Sequence, residues 1–114
     1  MATGATGERA ALQAYRRRGY RLVARNWRCR IGELDLVLLR GDTMVICEVK
    51  SRRGRAFGEG WEAVDARKRR KLRAVATAFL RSTDTRAEAI RFDVASVRVA
   101  PDGSAEVQVF EDAF

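Results

Sequence analysis

Apolar and polar residues alternate through Gly32 to Arg53, GELDLVLLRGDTMVICEVKSR, with a two-residue Gly41-Asp42 turn of the Gly-X type at the middle. That pattern predicts a hairpin and fixes its register. Arg40 faces Thr43 beside the turn, and Leu39 faces Met44, Val37 faces Ile46, Asp35 faces Glu48 and Glu33 faces Lys50, these four pairs on one surface. The other surface holds only Leu34, Leu36, Leu38, Val45, Cys47 and Val49. One face is thus core, and the other is apolar near the turn and ionic at its open end.

A period of 3.6 residues replaces alternation on either side. From a loose start over residues 1–6, with Thr6 as a cap, a helix is predicted to run to about Arg18 and stop at Gly19; Glu8, Ala11, Leu12 and Tyr15 share its inward stripe. A second covers roughly Asp65 to Ser82, with Asp65 as N-cap and an alternative start near Trp61. Its stripe is Leu72, Val75 and Phe79, and one turn back from Leu72 stands Lys68. Strands are predicted at Tyr20 to Trp27, Ala89 to Val99 and Ala105 to Phe110, the last two separated by PDGS. The order helix, three strands, helix, two strands specifies an α/β or α+β fold with helices packed on a mixed sheet.

Placing carboxylates at opposite positions of a hairpin is costly. At ~5 Å and an effective dielectric of ~20 they repel by roughly 3 kcal/mol, which a domain with about 5–15 kcal/mol in hand must offset. A raised pKa, a salt bridge or a cation would do so. Glu8 and Lys68 likewise interrupt inward helix faces. For Glu8 the alternative is a favourable partner of the helix dipole; for Lys68 it is a stem snorkelling past the core edge.

Composition narrows the chemistry. The chain of 114 residues makes one domain, 1–114, with no internal repeat, no run long enough for a membrane helix and no apolar leader, which places it in the cytoplasm. Cys29 and Cys47 lack metal spacing and are read as reduced thiols. With no histidine, Ser-His and Cys-His catalysis and His-ligated zinc are excluded, leaving carboxylates, lysine and a hard metal ion. All 23 Lys and Arg precede Pro101 while only 11 acids do, so residues 1–100 carry +12, a field that suits nucleic acid. Arginine is the default cation, and the three lysines are Lys50, Lys68 and Lys71. The loop Ser51 to Gly60, with Arg52, Arg53 and Arg55, stands beside the ionic end of the hairpin, where it would close over a phosphate backbone or remain a solvated loop.

The blocks GERAA, RNWRCRIGELDLV, VICEVKSR, WEAV with KRRKLRAVATAFL, and RFDV resemble the YraN family of small bacterial proteins across nearly the whole chain. That family is similar to a branch of the PD-(D/E)xK nuclease superfamily, nearest in layout to Holliday-junction resolvases. The resemblance implies a restriction-endonuclease-like core of a helix, a three-stranded meander, a helix and a further strand. It implies that Asp35 is the acid of the second strand, that Glu48-Val49-Lys50 is the E-x-K of the third, and that Glu8 and Lys68 join them from the helices. Leu34 stands where the name-giving proline would be. One Mg²⁺ or Mn²⁺ held by Asp35, Glu48 and the Val49 carbonyl is the implied cofactor, and DNA, contacted by Arg52, Arg53, Arg55 and Lys71, the implied partner. The expected function is a metal-dependent nuclease selective for branched DNA; the alternative is a non-catalytic nucleic-acid-binding protein that retains the frame. Resolvase-like enzymes act as dimers, and Val109, Phe110 and Phe114 would serve such an interface or the core.

Overall fold

The computed structural model of the chain describes residues 2–53 and 65–114. Seven elements follow in the expected order: α1 (Ala2–Arg17), β1 (Arg21–Arg28), β2 (Glu33–Arg40), β3 (Thr43–Arg53), α2 (Ala66–Ser82), β4 (Ala89–Val99) and β5 (Ala105–Phe110). Arg55, most of the Ser51–Gly60 loop, the Arg53 side chain and the alternative helix start at Trp61 lie outside the described residues.

The strands form one mixed sheet in the order β1-β2-β3-β4-β5, antiparallel throughout except for the parallel pair β3 and β4 that α2 connects. Gly41 takes φ +58 at the tip of the β2–β3 hairpin, the conformation that a Gly-X turn requires at its first central residue. Arg40 accordingly faces Thr43, Leu39 faces Met44 and Val37 faces Ile46. The ladder ends at Leu36 and Cys47, short of the ionic positions.

Both faces of the sheet are core, one more than the hairpin pattern predicted, because each receives a helix. Leu72, Val75, Ala76 and Phe79 of α2 pack on Val37, Met44, Ile46, Phe92 and Val94. On the other side, Ala11, Leu12 and Tyr15 of α1 cover Leu36, Leu38, Val45, Cys47, Ala95 and Val97. Leu34 departs from strict alternation and joins the α2 side. Beyond the ladder β2 has no backbone pairing with β3 but keeps its pairing with β1, where Leu34 faces Trp27, whose ring meets Phe79 edge-on at 5.2 Å. Phe110 and Phe114 pack against the α2-side core and Val109 against the α1-side core.

Helix α1 begins at Ala2 rather than at Thr6. Within the helix, Gly7 lets α1 lie close on β3, since a Cβ there would collide with Ser51 Oγ. At the other end Gly19 has φ +88, its N–H bonds to Arg16 O, and Tyr20 N–H reaches Tyr15 O, a Schellman closure. Asp65 caps α2 as expected, accepting the Lys68 N–H at 2.9 Å. Replacing Asp65 by alanine is expected to cost about 1 kcal/mol, measured as a lowered denaturation midpoint with unchanged slope.

A buried acid locks these layers together. Asp93 on β4 is 0% exposed and accepts from the Tyr15 hydroxyl at 2.7 Å, from Arg91 Nε at 2.9 Å and Nη2 at 2.8 Å, and from the Asp112 N–H at 3.0 Å. Arg91 also donates to the Tyr20 hydroxyl and lies 3.6 Å from Glu111. One carboxylate therefore ties α1, β4 and the C-terminal turn.

Candidate functional site

Where the β2–β3 ladder stops, a cleft of about 470 Å³ opens between the hairpin's open end and the start of α2. Gly32, Glu33 and Asp35 line it from β2 and the turn before it, Glu48 from β3, and Asp65, Arg67, Lys68 and Lys71 from α2. Strand parity puts Asp35 and Glu48 on the α2 side of the sheet, and the one-turn offset from Leu72 puts Lys68 against them.

Asp35 replaces the missing ladder. Its Oδ2 accepts the Val49 N–H at 2.8 Å across the gap between the strands. Burial, then hydrogen bonding to Glu48 and the charge of Glu48, push the Asp35 carboxyl up to about 7, against the lowering effect of the Val49 N–H. The conflict between opposed acids anticipated from the register thus falls on Asp35.

Glu48 has a cation beside it: Lys68 Nζ lies 3.6 Å from Glu48 Oε2. Lys50 stands on the same face, next to Lys68. Its burial, followed by the neighbouring Lys68 ammonium, lowers its pKa from the ordinary lysine value. Burial acts to lower Lys68 as well, but the contacts with Lys50 and Glu48 prevail and raise it. Two carboxylates and two ammonium groups therefore converge, a quartet whose charges cancel when all are ionised.

The structure brings Asp35, Glu48, Lys50 and Lys68 together, with Val49 donating to the first of them and Lys71 on the cleft wall. Glu8 is placed elsewhere: α1 packs on the opposite face of the sheet, and the Glu8 carboxylate accepts from Asn26 Nδ2 at 3.1 Å and lies 3.7 Å from Arg25. Glu33 lies 3.3 Å from Arg28 rather than pairing with Lys50, since its partner strand at that point is β1. Arg52 is exposed near the end of β3. Among the described residues no three His, Cys, Asp or Glu are grouped so as to hold a metal ion, and no helix is long and apolar enough to cross a membrane.

Arg67 was not singled out in the sequence, and Asp65 was read only as a cap. A helical-wheel reading would have found Arg67, four positions before Lys71 and one turn from it on the same face.

Comparison with known proteins gives a consistent result. Residues 7–97 match the model of a family described as "Uncharacterised protein family UPF0102". A UPF0102 protein of Ectopseudomonas mendocina is 46% identical over 112 residues, covering 97% of this chain and 92% of its own. One from Symbiobacterium thermophilum is 41% identical over 111 residues, covering 97% and 94%. One from Nocardia farcinica is 47% identical over 101 residues, covering 89% and 80%.

Proposed function

The chain belongs to the UPF0102 family, and from the chemistry of its cleft we propose that it is a cytoplasmic, metal-dependent nuclease that hydrolyses phosphodiester bonds in DNA. In this reading the mixed five-stranded sheet and its two helices are a restriction-endonuclease-like frame of the PD-(D/E)xK kind, and the substrate is branched or distorted DNA, as the resemblance to resolvases implies. One observation carries the proposal: Asp35, Glu48 and Lys68 line an open cleft edged by Arg67 and Lys71, with Lys50 beside Lys68.

The donor set suits Mg²⁺ or Mn²⁺. Asp35 retains a proton near neutrality because it is buried beside another carboxylate, and a hard divalent cation is the natural replacement for that proton. Asp35 and Glu48 would hold it, with the Val49 carbonyl as a further oxygen ligand. Bound there, the ion would lower the pKa of a water and neutralise charge on the phosphate.

The protein's own groups do the rest. Lys50 and Lys68 set two ammonium groups against the non-bridging phosphate oxygens, where charge develops during displacement. Arg67 and Lys71 hold flanking phosphates, with Arg52 near the end of β3, and position the strand without reading its bases. Because the quartet is neutral when ionised, the dication's charge is balanced only when a phosphate joins it. The site is therefore completed by DNA.

Calorimetric titration of Mn²⁺ into the protein bound to a short duplex tests this. Binding is expected in the parent and its loss in Asp35→Ala, with thermal stabilisation of the parent complex alone. Equal titrations in both would remove the carboxylates from the metal site. The Lys68 and Glu48 pair, and the placement of Glu8 away from the cleft, favour a second reading: a nucleic-acid-binding protein on the same frame whose carboxylates are neutralised by lysine. That reading expects no metal-dependent heat, and duplex affinity that falls steeply with salt.

A further inference from the structure

Two large apolar side chains stand exposed among the described residues, Ile31 at 46% and Ile90 at 42%. Single exposed isoleucines are ordinary, but the surroundings of Ile31 are not. It sits at the tip of the turn between β1 and β2, which closes through the Cys29 N–H to Gly32 O at 2.9 Å. The turn is pressed on α2: a Cβ at Gly32 would lie 3.1 Å from Lys71 Cε and 3.2 Å from Val75 Cγ2. Ile31 is therefore presented by a braced support. With Cys29, Arg30 and Ala78 it borders a mostly apolar groove of about 430 Å³.

This groove neighbours the cleft. Gly32 lines the cleft and Ile31, the preceding residue, lines the groove. On α2 Lys71 lines the cleft and Ala78 the groove, seven residues apart and so about 10 Å along the helix. That distance equals about three base steps of 3.4 Å. A strand with one phosphate in the cleft would bring a base to the groove. Arg30 on the turn, with Arg67 and Lys71 on the helix, gives the charge that its backbone needs.

Resting on the nucleic-acid reading of the cleft, we propose that the Cys29, Arg30, Ile31 and Ala78 groove seats one unstacked nucleobase, with Ile31 as the wedge that holds the neighbouring step open. A base in a stack offers only its polar edges, for which apolar walls provide no partners. Out of the stack it offers a face that these walls bury and the Arg30 guanidinium can cover. Opening a paired step costs a few kcal/mol, a cost already met in mismatched or unpaired DNA. The groove thereby selects distorted DNA by a physical device in the turn, independently of the chemistry at Asp35.

The test compares a duplex carrying 2-aminopurine in a three-nucleotide bulge with a fully paired duplex of equal length, in chelator so that no cleavage occurs. The parent is expected to bind the bulged duplex about tenfold more tightly, the worth of one half-exposed apolar side chain becoming buried, and to change the 2-aminopurine fluorescence. Ile31→Ser and Ala78→Gln should each cut the preference to about threefold or less while leaving paired-duplex affinity unchanged. Tight binding with no preference in the parent, or a preference that survives in both variants, would overturn the groove assignment and leave the cleft's function standing. Failure of the parent to bind either duplex at low salt would overturn both.

Discussion

Replacing Asp93 by asparagine is expected to destabilise the protein by about 3–5 kcal/mol, although it preserves the volume of the side chain. All the partners of Asp93 are donors: the Tyr15 hydroxyl, two nitrogens of Arg91 and the Asp112 N–H. An amide turns an NH₂ group toward two of them, so donors meet donors whichever way it is flipped. The Arg91 guanidinium, whose pKa the Asp93 carboxylate raises through hydrogen bonding, loses its buried charge partner and keeps only the more exposed Glu111 at 3.6 Å. For a chain of this length the loss corresponds to a fall in Tm of roughly 10–20 °C, read by circular dichroism. Combining Asp93→Asn with Arg91→Met should cost less than the sum of the two, because the second change removes the group that the first leaves unpaired. A single variant melting with the parent would mean that packing alone holds α1 and the C-terminal turn on the sheet.

Asp93 also marks where sequence reading stops. It lies in RFDV, an apolar strand segment, and an acid there signals burial with a partner. The partners come from positions 15, 20 and 112, and only the packed tertiary fold brings them together. Local rules succeeded where the determinants are local. The Gly41-Asp42 turn set the register from Arg40 to Val37, the 3.6-residue stripe found the buried faces of α1 and α2, and Asp65 was legible as a cap. They failed at the open end of the hairpin. Parity put Asp35 and Glu48 on one face, where they lie side by side, but the register extended pairing beyond Leu36 and Cys47, so Glu33 was assigned to Lys50 when β1 supplies Arg28. Likewise, the inward stripe put Glu8 toward the sheet without saying toward which of its faces. The parallel pairing of β3 and β4 is suggested by the helix between them, but pattern alone does not say which strands pair after the hairpin. Lys68 was found because a helix turn is a local ruler; its contact with Lys50 depends on how α2 lies over β3.

Asparagine at Asp35 is expected to make the protein more stable at pH 8 while abolishing the proposed cleavage. The folded carboxyl titrates near 7, against an ordinary value of 3.8. Between those values the folded protein holds a proton that the unfolded chain has released. Stability therefore declines as pH rises from about 4 to about 7, by up to about 4 kcal/mol at 1.36 kcal/mol per unit. Above 7 the parent carries that loss in full. Asparagine keeps an oxygen for the Val49 N–H and turns its NH₂ toward Glu48, so it reproduces the protonated pair without titrating. Urea denaturation at pH 4, 6 and 8 should give curves for parent and variant that agree at the lowest pH and diverge above it, the variant being more stable by about 2–4 kcal/mol at pH 8. Parallel behaviour across the range would mean that Asp35 is not held above its ordinary value. In a nuclease this instability has a purpose: Lys68 neutralises Glu48, but ionised Asp35 stays buried beside another carboxylate, and a metal ion that takes the place of the Asp35 proton relieves that strain. Mn²⁺ with duplex present should therefore recover stability at pH 8 in the parent and not in the variant. If the parent shows the pH-dependent loss and metal does not reverse it, the acid pair is a source of strain with no ion to relieve it, and the lysine-neutralised binding protein becomes the better account of this cleft.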